Sequence, residues 1–237
     1  RFIHTADWQL GMTRHFLDDD AQPRYSAARR DVVAGLGALA RRTGAEFVVV
    51  AGDVFDANQL APKVISQSLA AMGRIEVPVY LLPGNHDPLD PSSVYTSKQF
   101  LTECPDNVVV LDRAGVFDLR PGVQIVAAPW RSKHPTTDLA ADVLAELPSD
   151  GTARILLAHG AVDVLDPDRD NIAAIRMAAE LGAFPRYEEN RSAMRRVMRN
   201  HRRAAYATPN SEYEALTVLP TPLDQAACPA DLLEAAH

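Results

Sequence analysis

Residues 46–56 read EFVVVAGDVFD, and the fold turns on them. The stretch from Glu46 to Ala51 is an apolar run of strand length, without the alternation of a half-exposed strand. Such a run is buried on both faces, as in a parallel sheet covered by further layers. It stops abruptly at Gly52-Asp53. Upstream, Pro23 to Arg42 places Tyr25, Ala28, Val32, Leu36 and Leu39 at three- and four-residue spacing, a helical pattern that Gly44 closes. Ahead of that helix, Phe2 to Ala6 reads as a short strand. Downstream, Pro62 to Ile75 is helical, with Val64, Ser68, Leu69, Met72 and Ile75 on one side. Residues 77–87, VPVYLLPGNHD, then give a third strand ended by Pro-Gly. Strand, helix, strand, helix, strand predicts parallel βαβ units and an α/β class.

Beyond residue 100 the text changes character. NVVVLD, GVFDL and GVQIVAAP are short strands separated by turn residues, and they suggest a meander or a mixed second sheet. Thr137 to Leu147 reads as a helix, ARILLAHG as another buried strand, and Asn171 to Leu181 as a helix. Asn190 to Ala207 has the composition of an arginine-rich helix. Thr208 to His237 holds four prolines, little periodicity and no strand pattern. The expected organisation is therefore a domain over residues 1–183 and a divergent, partly disordered tail over 184–237.

The totals set bounds. Of the 237 residues, 47% are hydrophobic and 23% charged, which is ordinary for a globular chain and excludes a disordered one. No apolar stretch reaches the roughly 18 residues of a membrane span, and no charged start leads into a long apolar leader. Two cysteines, Cys104 and Cys228, are too few for a disulfide framework, so a reduced, cytoplasmic setting is expected. The net charge of −7 argues against a generic nucleic-acid binder. The charge is uneven, however: between Arg186 and Arg203 there are seven arginines and two glutamates. An acidic body is still compatible with a phosphate substrate when bound divalent cations supply local positive charge.

Four polar clusters stand at the ends of four buried strands: Asp7; Gly52-Asp53; Gly84-Asn85-His86-Asp87; and His159-Gly160. In an open parallel sheet the ligand site lies beyond the carboxyl ends of the strands, so these loops are expected to converge. Asp, an Asn carbonyl and His are ligands for Mn²⁺, Fe²⁺ or Zn²⁺. Each residue alone has a bland explanation. A strand-terminal Asp is usually a cap or turn residue, and a buried strand ending in His-Gly often holds a satisfied core histidine. The four together, in this order, point to a metal site.

DWQ, GDVFD, GNHD and AHG in this order resemble the calcineurin-like metallophosphoesterases. HTADWQLG, AGDVFD and LLPGNHDP are most similar to the DNA-repair exonucleases of the SbcD type. The likeness covers residues 1 to about 182. It implies a four-layer α/β/β/α sandwich, incomplete or divergent at its C-terminus, and two adjacent divalent metals, Mn²⁺ foremost, with Mg²⁺, Fe²⁺ or Zn²⁺ as alternatives. It implies that Asp53 bridges the metals, that Asp7 belongs to the first, and that Asn85 and His159 belong to the second. A hydroxide between the metals would attack phosphorus, with His86 facing the phosphate as transition-state stabiliser or acid. Asp56 and Asp87 are expected behind the ligands or in turns. Partners implied are DNA ends, a long coiled-coil ATPase of the SbcC type, and a second copy in a homodimer, with no membrane.

Two departures stand out. The family motif Asp-x-His has Gln9 in the histidine's place, a neutral and weaker donor that loosens the first metal position or leaves it to water. The late motif, Gly-x-His or Gly-His-x-His, is absent: after His159 only His201 and His237 remain, and neither has that setting. The tail is therefore read as a truncated or frame-shifted end. Two rival functions stay open, a phosphoesterase for small nucleotides or phosphoproteins and a degenerate chain with little or no catalysis. Other residues are read plainly: His4 as a core or strand-end histidine, Arg14 and His15 as a solvated loop, the arginine run as a solvated face. Trp130, Arg131 and Lys133 lie near the same sheet edge, with a phosphate contact as the sharper alternative.

Overall fold

The computed structural model of the chain describes residues 1–148 and 152–160, and the backbone of residues 215–217. Its elements run β1 (Ile3–Thr5), α1 (Ala21–Thr43), β2 (Val48–Ala51), α2 (Pro62–Met72), β3 (Val79–Leu82), α3 (Lys98–Glu103), β4 (Val108–Val110), β5 (Gly115–Arg120), β6 (Val123–Ala128), α4 (Leu139–Leu144), β7 (Ala153–His159) and β8 (Ala215–Thr217). One sheet has the order β1-β2-β3-β4 and is parallel throughout. The other has the order β5-β6-β7-β8, with β5 antiparallel to β6, β6 parallel to β7 and β7 antiparallel to β8.

Side-chain alternation along the strands builds the layers. On β2, Val48 and Val50 face α1, α2 and α3 in a core that includes Val33, Ile65, Leu69, Met72 and Phe100. Val49 and Ala51 face the other way and join Leu82, Ile125, Ala127, Ile155 and Leu157 between the two sheets. On the far side of the second sheet, Val126, Ala128, Leu156 and Ala158 pack with Ala140 and Val143 of α4. Three apolar interfaces between four layers make the α/β/β/α sandwich. Each valine, leucine or isoleucine buried this way contributes roughly 1.5–3 kcal/mol, and each alanine less. The double-faced apolar run at 46–51 is thus explained by helices on one face and a sheet on the other.

The helices are stopped and started by local chemistry. Gly44, at φ 65, accepts the left-handed turn that ends α1. Pro62 opens α2 where its missing N–H costs nothing. Ser97 and Asp138 accept from the backbone N–H of Phe100 and Ala141 and cap α3 and α4.

Several expectations are corrected. NVVV does not join the second sheet; β4 pairs in parallel with β3 and completes the first. Helix α3 falls in a stretch with no helical pattern and provides the crossover that makes this pairing parallel. Helices α2 and α4 end earlier than expected, at Met72 and Leu144, and α1 starts earlier, at Ala21, with Pro23 in its first turn. A strand also lies in the tail, Ala215–Thr217 beside β7, where none was expected. Its short Ala-Leu-Thr run is too brief to register by alternation, and β7 offers it an open edge. The expected helices over 171–181 and 190–207 lie outside the described residues. No described helix is long and apolar enough to cross a membrane.

Candidate metal centre

β1, β2, β3 and β7 end side by side, and their carboxyl-end loops meet. Asp7, Asp53 and His159 each present one ligand atom, and the three atoms lie within 4.8 Å of one another. Asn85 joins them, its Oδ1 2.8 Å from His159 Nε2. Asp7 sits at φ 54, Gln9 at φ 41 and Asp53 at φ 52, a left-handed backbone that non-glycine residues rarely adopt. Strain of this kind, of order 1–3 kcal/mol a residue, survives only where the surroundings over-determine it. Here they do. Asp7 N–H donates to Gly52 O at 3.1 Å, Gln9 N–H to Asp53 O at 2.8 Å and Leu10 N–H to Val54 O at 2.9 Å, so the first two loops are zipped together. From α1, both Arg29 Nη2 and Nε donate to the Trp8 carbonyl, at 2.6 and 3.2 Å.

Glycine is required at two of these turns. A Cβ on Gly52, which lies at φ +93, would collide with the His159 ring. One on Gly84 would collide with the carboxylate and backbone nitrogen of Asp53.

Hydrogen bonds fix the imidazoles. His159 Nδ1 lies 2.9 Å from Ala51 O, and a carbonyl only accepts, so Nδ1 carries a proton and Nε2 faces the cluster. A backbone carbonyl behind the ring is the usual way a ligating histidine is oriented. Burial opposes charge on His159, but its hydrogen bond to Asp53 and the carboxylates of Asp53 and Asp7 outweigh it and lift its pKa to about 9. Burial likewise opposes charge on Asp53, yet His159 and the His86 N–H hold its carboxyl below the ordinary range. Asp53 Oδ1 accepts from His86 N–H at 3.0 Å, which ties the loop after β3 to the loop after β2. His86 Nδ1 donates to Asp56 O at 3.0 Å, and Nε2 stands 3.9 Å from Asp53 Oδ2 on a ring that is 29% exposed.

Asp87 is wholly buried. Its Oδ1 accepts from Gly84 N–H at 2.7 Å; its Oδ2 accepts from Phe55 N–H at 3.0 Å and from the Tyr95 hydroxyl at 2.6 Å. Burial pushes its pKa up to about 6, while those three donors pull in the opposite direction.

The structure thus brings Asp7, Asp53, Asn85 and His159 together, with His86 alongside. Gln9 shares the first loop through its backbone. Asp56 acts through its carbonyl rather than its carboxylate. Trp130 is buried and donates Nε1–H to His159 O at 2.7 Å, so it supports the histidine from behind rather than offering a phosphate contact, while Arg131 and Lys133 are exposed. The sequence does not announce the roles of Tyr95, Arg29 or Trp130. Only Trp130 carries a signal, its place just after a strand near the same sheet edge.

Comparison with known proteins agrees with the fold. The family described as calcineurin-like phosphoesterase matches residues 1–193. The SbcD component of the SbcCD nuclease of Bacillus subtilis is 34% identical over 91 residues, 37% of this chain and 22% of that protein. Its counterpart in Rhodobacter capsulatus is 32% identical over 93 residues, with the same two shares. A vitamin B12-dependent ribonucleotide reductase of Bradyrhizobium diazoefficiens is 57% identical over 62 residues, 26% of this chain and 5% of that protein. The chain spans less than a quarter of the length of each of these relatives.

Proposed function

The chain belongs to the calcineurin-like phosphoesterase family, and we propose that it is a divalent-metal-dependent phosphodiesterase acting on DNA ends, with Mn²⁺ as its metal. The observation that carries this reading is the convergence of Asp7, Asp53 and His159 within 4.8 Å at the strand ends. Bound metal supplies a Lewis acid for the phosphoryl oxygens and lowers the pKa of an attacking water. Asp53, with two carboxylate oxygens, is suited to bridge two ions. Asp7 would hold one ion, and Asn85 Oδ1 with His159 Nε2 would hold the other. Gln9 offers a neutral oxygen where a stronger donor would tighten the first position.

His86 takes the proton work. Donation from Nδ1 to Asp56 O leaves Nε2 as the nitrogen on the side of the cluster. When protonated there, it donates to a phosphate oxygen or to the leaving oxygen, a contribution of about 10²–10⁴ in rate.

The nuclease relatives favour DNA as substrate, and a coiled-coil ATPase of the SbcC type with a second copy of the chain would supply grip. The body's net charge of −7 fits a chain that leaves duplex binding to its partners. The test compares cleavage of linear DNA with cleavage of a generic phosphodiester dye, both with Mn²⁺. Dye turnover without any cut in DNA would replace this reading with a phosphoesterase for small nucleotides or phosphoproteins.

A second reading draws on the reductase likeness, whose 57% identity exceeds that to the SbcD proteins. The late Gly-x-His motif is also absent after His159. In that reading the chain passes from phosphoesterase strands into a segment of another kind and keeps little catalysis. Calorimetric titration separates the two: a pair of tight Mn²⁺ sites supports the phosphodiesterase, and none or a single weak site supports the degenerate chain.

A further inference from the structure

We propose that Tyr95, acting through Asp87, is a positioning residue of the metal centre. The inference rests on the metal-dependent reading above. Asp87 joins two loops that carry four of the functional groups. Its Oδ1 holds Gly84 N–H in the turn that presents Asn85 and His86; its Oδ2 holds Phe55 N–H in the loop that presents Asp53 and Asp56. Tyr95 supplies the third donor, a hydroxyl 2.6 Å from Oδ2. Its ring is itself fixed by edge contacts with Phe55, centroids 5.8 Å apart, and Phe100, 5.4 Å apart. The phenol is therefore delivered at one angle, from a residue only 4% exposed.

Packing alone does not explain a carboxylate in this place. A fully buried charge is costly, and it is tolerated here because two backbone N–H groups and a hydroxyl, which an apolar pair would leave unsatisfied, all donate to it. What a carboxylate does that an apolar pair cannot is accept from two loops at once and set their separation. That separation governs how the His86 N–H and ring meet Asp53, and how Asn85 Oδ1 meets His159. Removing the Tyr95 hydroxyl leaves Oδ2 with one donor fewer and loosens the carboxylate, which the two backbone N–H groups alone then hold, so the spacing of the two loops is less tightly set.

The experiment is calorimetric Mn²⁺ titration of wild type, Tyr95→Phe and Ser97→Ala, with kcat and KM for a generic phosphodiester dye and unfolding followed in EDTA. Tyr95→Phe keeps the aromatic packing and is expected to lower Mn²⁺ affinity about 10-fold, the low end of the effect of losing a group bonded directly to a ligand. Its kcat should fall with KM little changed. Ser97→Ala removes only the cap of α3, so it should lower the melting temperature and leave Mn²⁺ affinity alone. Wild-type Mn²⁺ affinity in Tyr95→Phe, or an equal loss in Ser97→Ala, overturns the proposal while the metal reading stands. A wild type that binds no Mn²⁺ overturns both. If Tyr95→Phe does not fold, the same readings on Asp87→Asn decide, since the amide keeps the side chain's shape and one accepting oxygen and sets an NH2 against the N–H of one of the two loops.

Discussion

Asp53 is the residue on which the site turns: a carboxylate 2% exposed, at φ 52, touched by both His86 and His159. Asp53→Asn keeps the shape and removes the charge and one accepting oxygen. It is expected to lower Mn²⁺ affinity at least about 100-fold, read by calorimetry, with the EDTA-treated protein still folded. His159 gives a pH signature. In the metal-free protein its pKa is raised from 6.5 to about 9, so the stabilisation it contributes is full below pH 6.5 and is lost as pH rises through 9. Melting temperatures in EDTA should fall across that window, and Mn²⁺ affinity should rise across it, because the ligand must shed its proton. A flat profile in both would remove His159 from the cluster. These residues were legible because each ends an apolar run, where a polar side chain has few reasons to sit. Tyr95 was not legible, since it lies in the irregular stretch DPLDPSSVYTSKQF and reaches Asp87 through loop geometry that no periodicity encodes.

At the scale of elements, the zipped loops after β1 and β2 explain how strained backbone is tolerated, and the close approach of β7 sets the limits. Gly52→Ala would place a Cβ against the His159 ring at a left-handed φ of 93. A cost of at least about 2 kcal/mol is expected in urea unfolding, with loss of Mn²⁺ binding. Trp130→Phe removes the donor to His159 O and leaves that buried carbonyl without it, an expected cost of about 1–3 kcal/mol in the same measurement. Sequence periodicity found α1, α2, β2 and β3, where long apolar patterns leave little choice. It misplaced β4, because a three-residue apolar run does not state which sheet it joins. The decision belongs to α3, a six-residue crossover held by one serine cap and the buried ring of Phe100.

At the scale of the molecule, three apolar interfaces hold four layers, and one edge of the sandwich carries all the chemistry described above. Cover on both faces of the first sheet was readable from EFVVVAGD; the count of four layers came from the resemblance of the strand-end motifs to the calcineurin-like metallophosphoesterases. The late part of the chain was less readable: its arginines, alanines and prolines give no lasting period, and β8 follows from the open edge of β7 rather than from its own three residues. An acidic body with an edge lined by Asp7, Asp53 and His159 is what the proposed phosphodiesterase requires, its local positive charge to come from bound cations. Linear DNA incubated with the chain and Mn²⁺, beside His86→Ala and an EDTA control, tests this most directly. The expected result is metal-dependent release of nucleotides from the ends, abolished by EDTA and reduced at least about 100-fold in His86→Ala with Mn²⁺ binding intact. No cleavage by the wild type, or cleavage that His86→Ala leaves unchanged, would contradict the account.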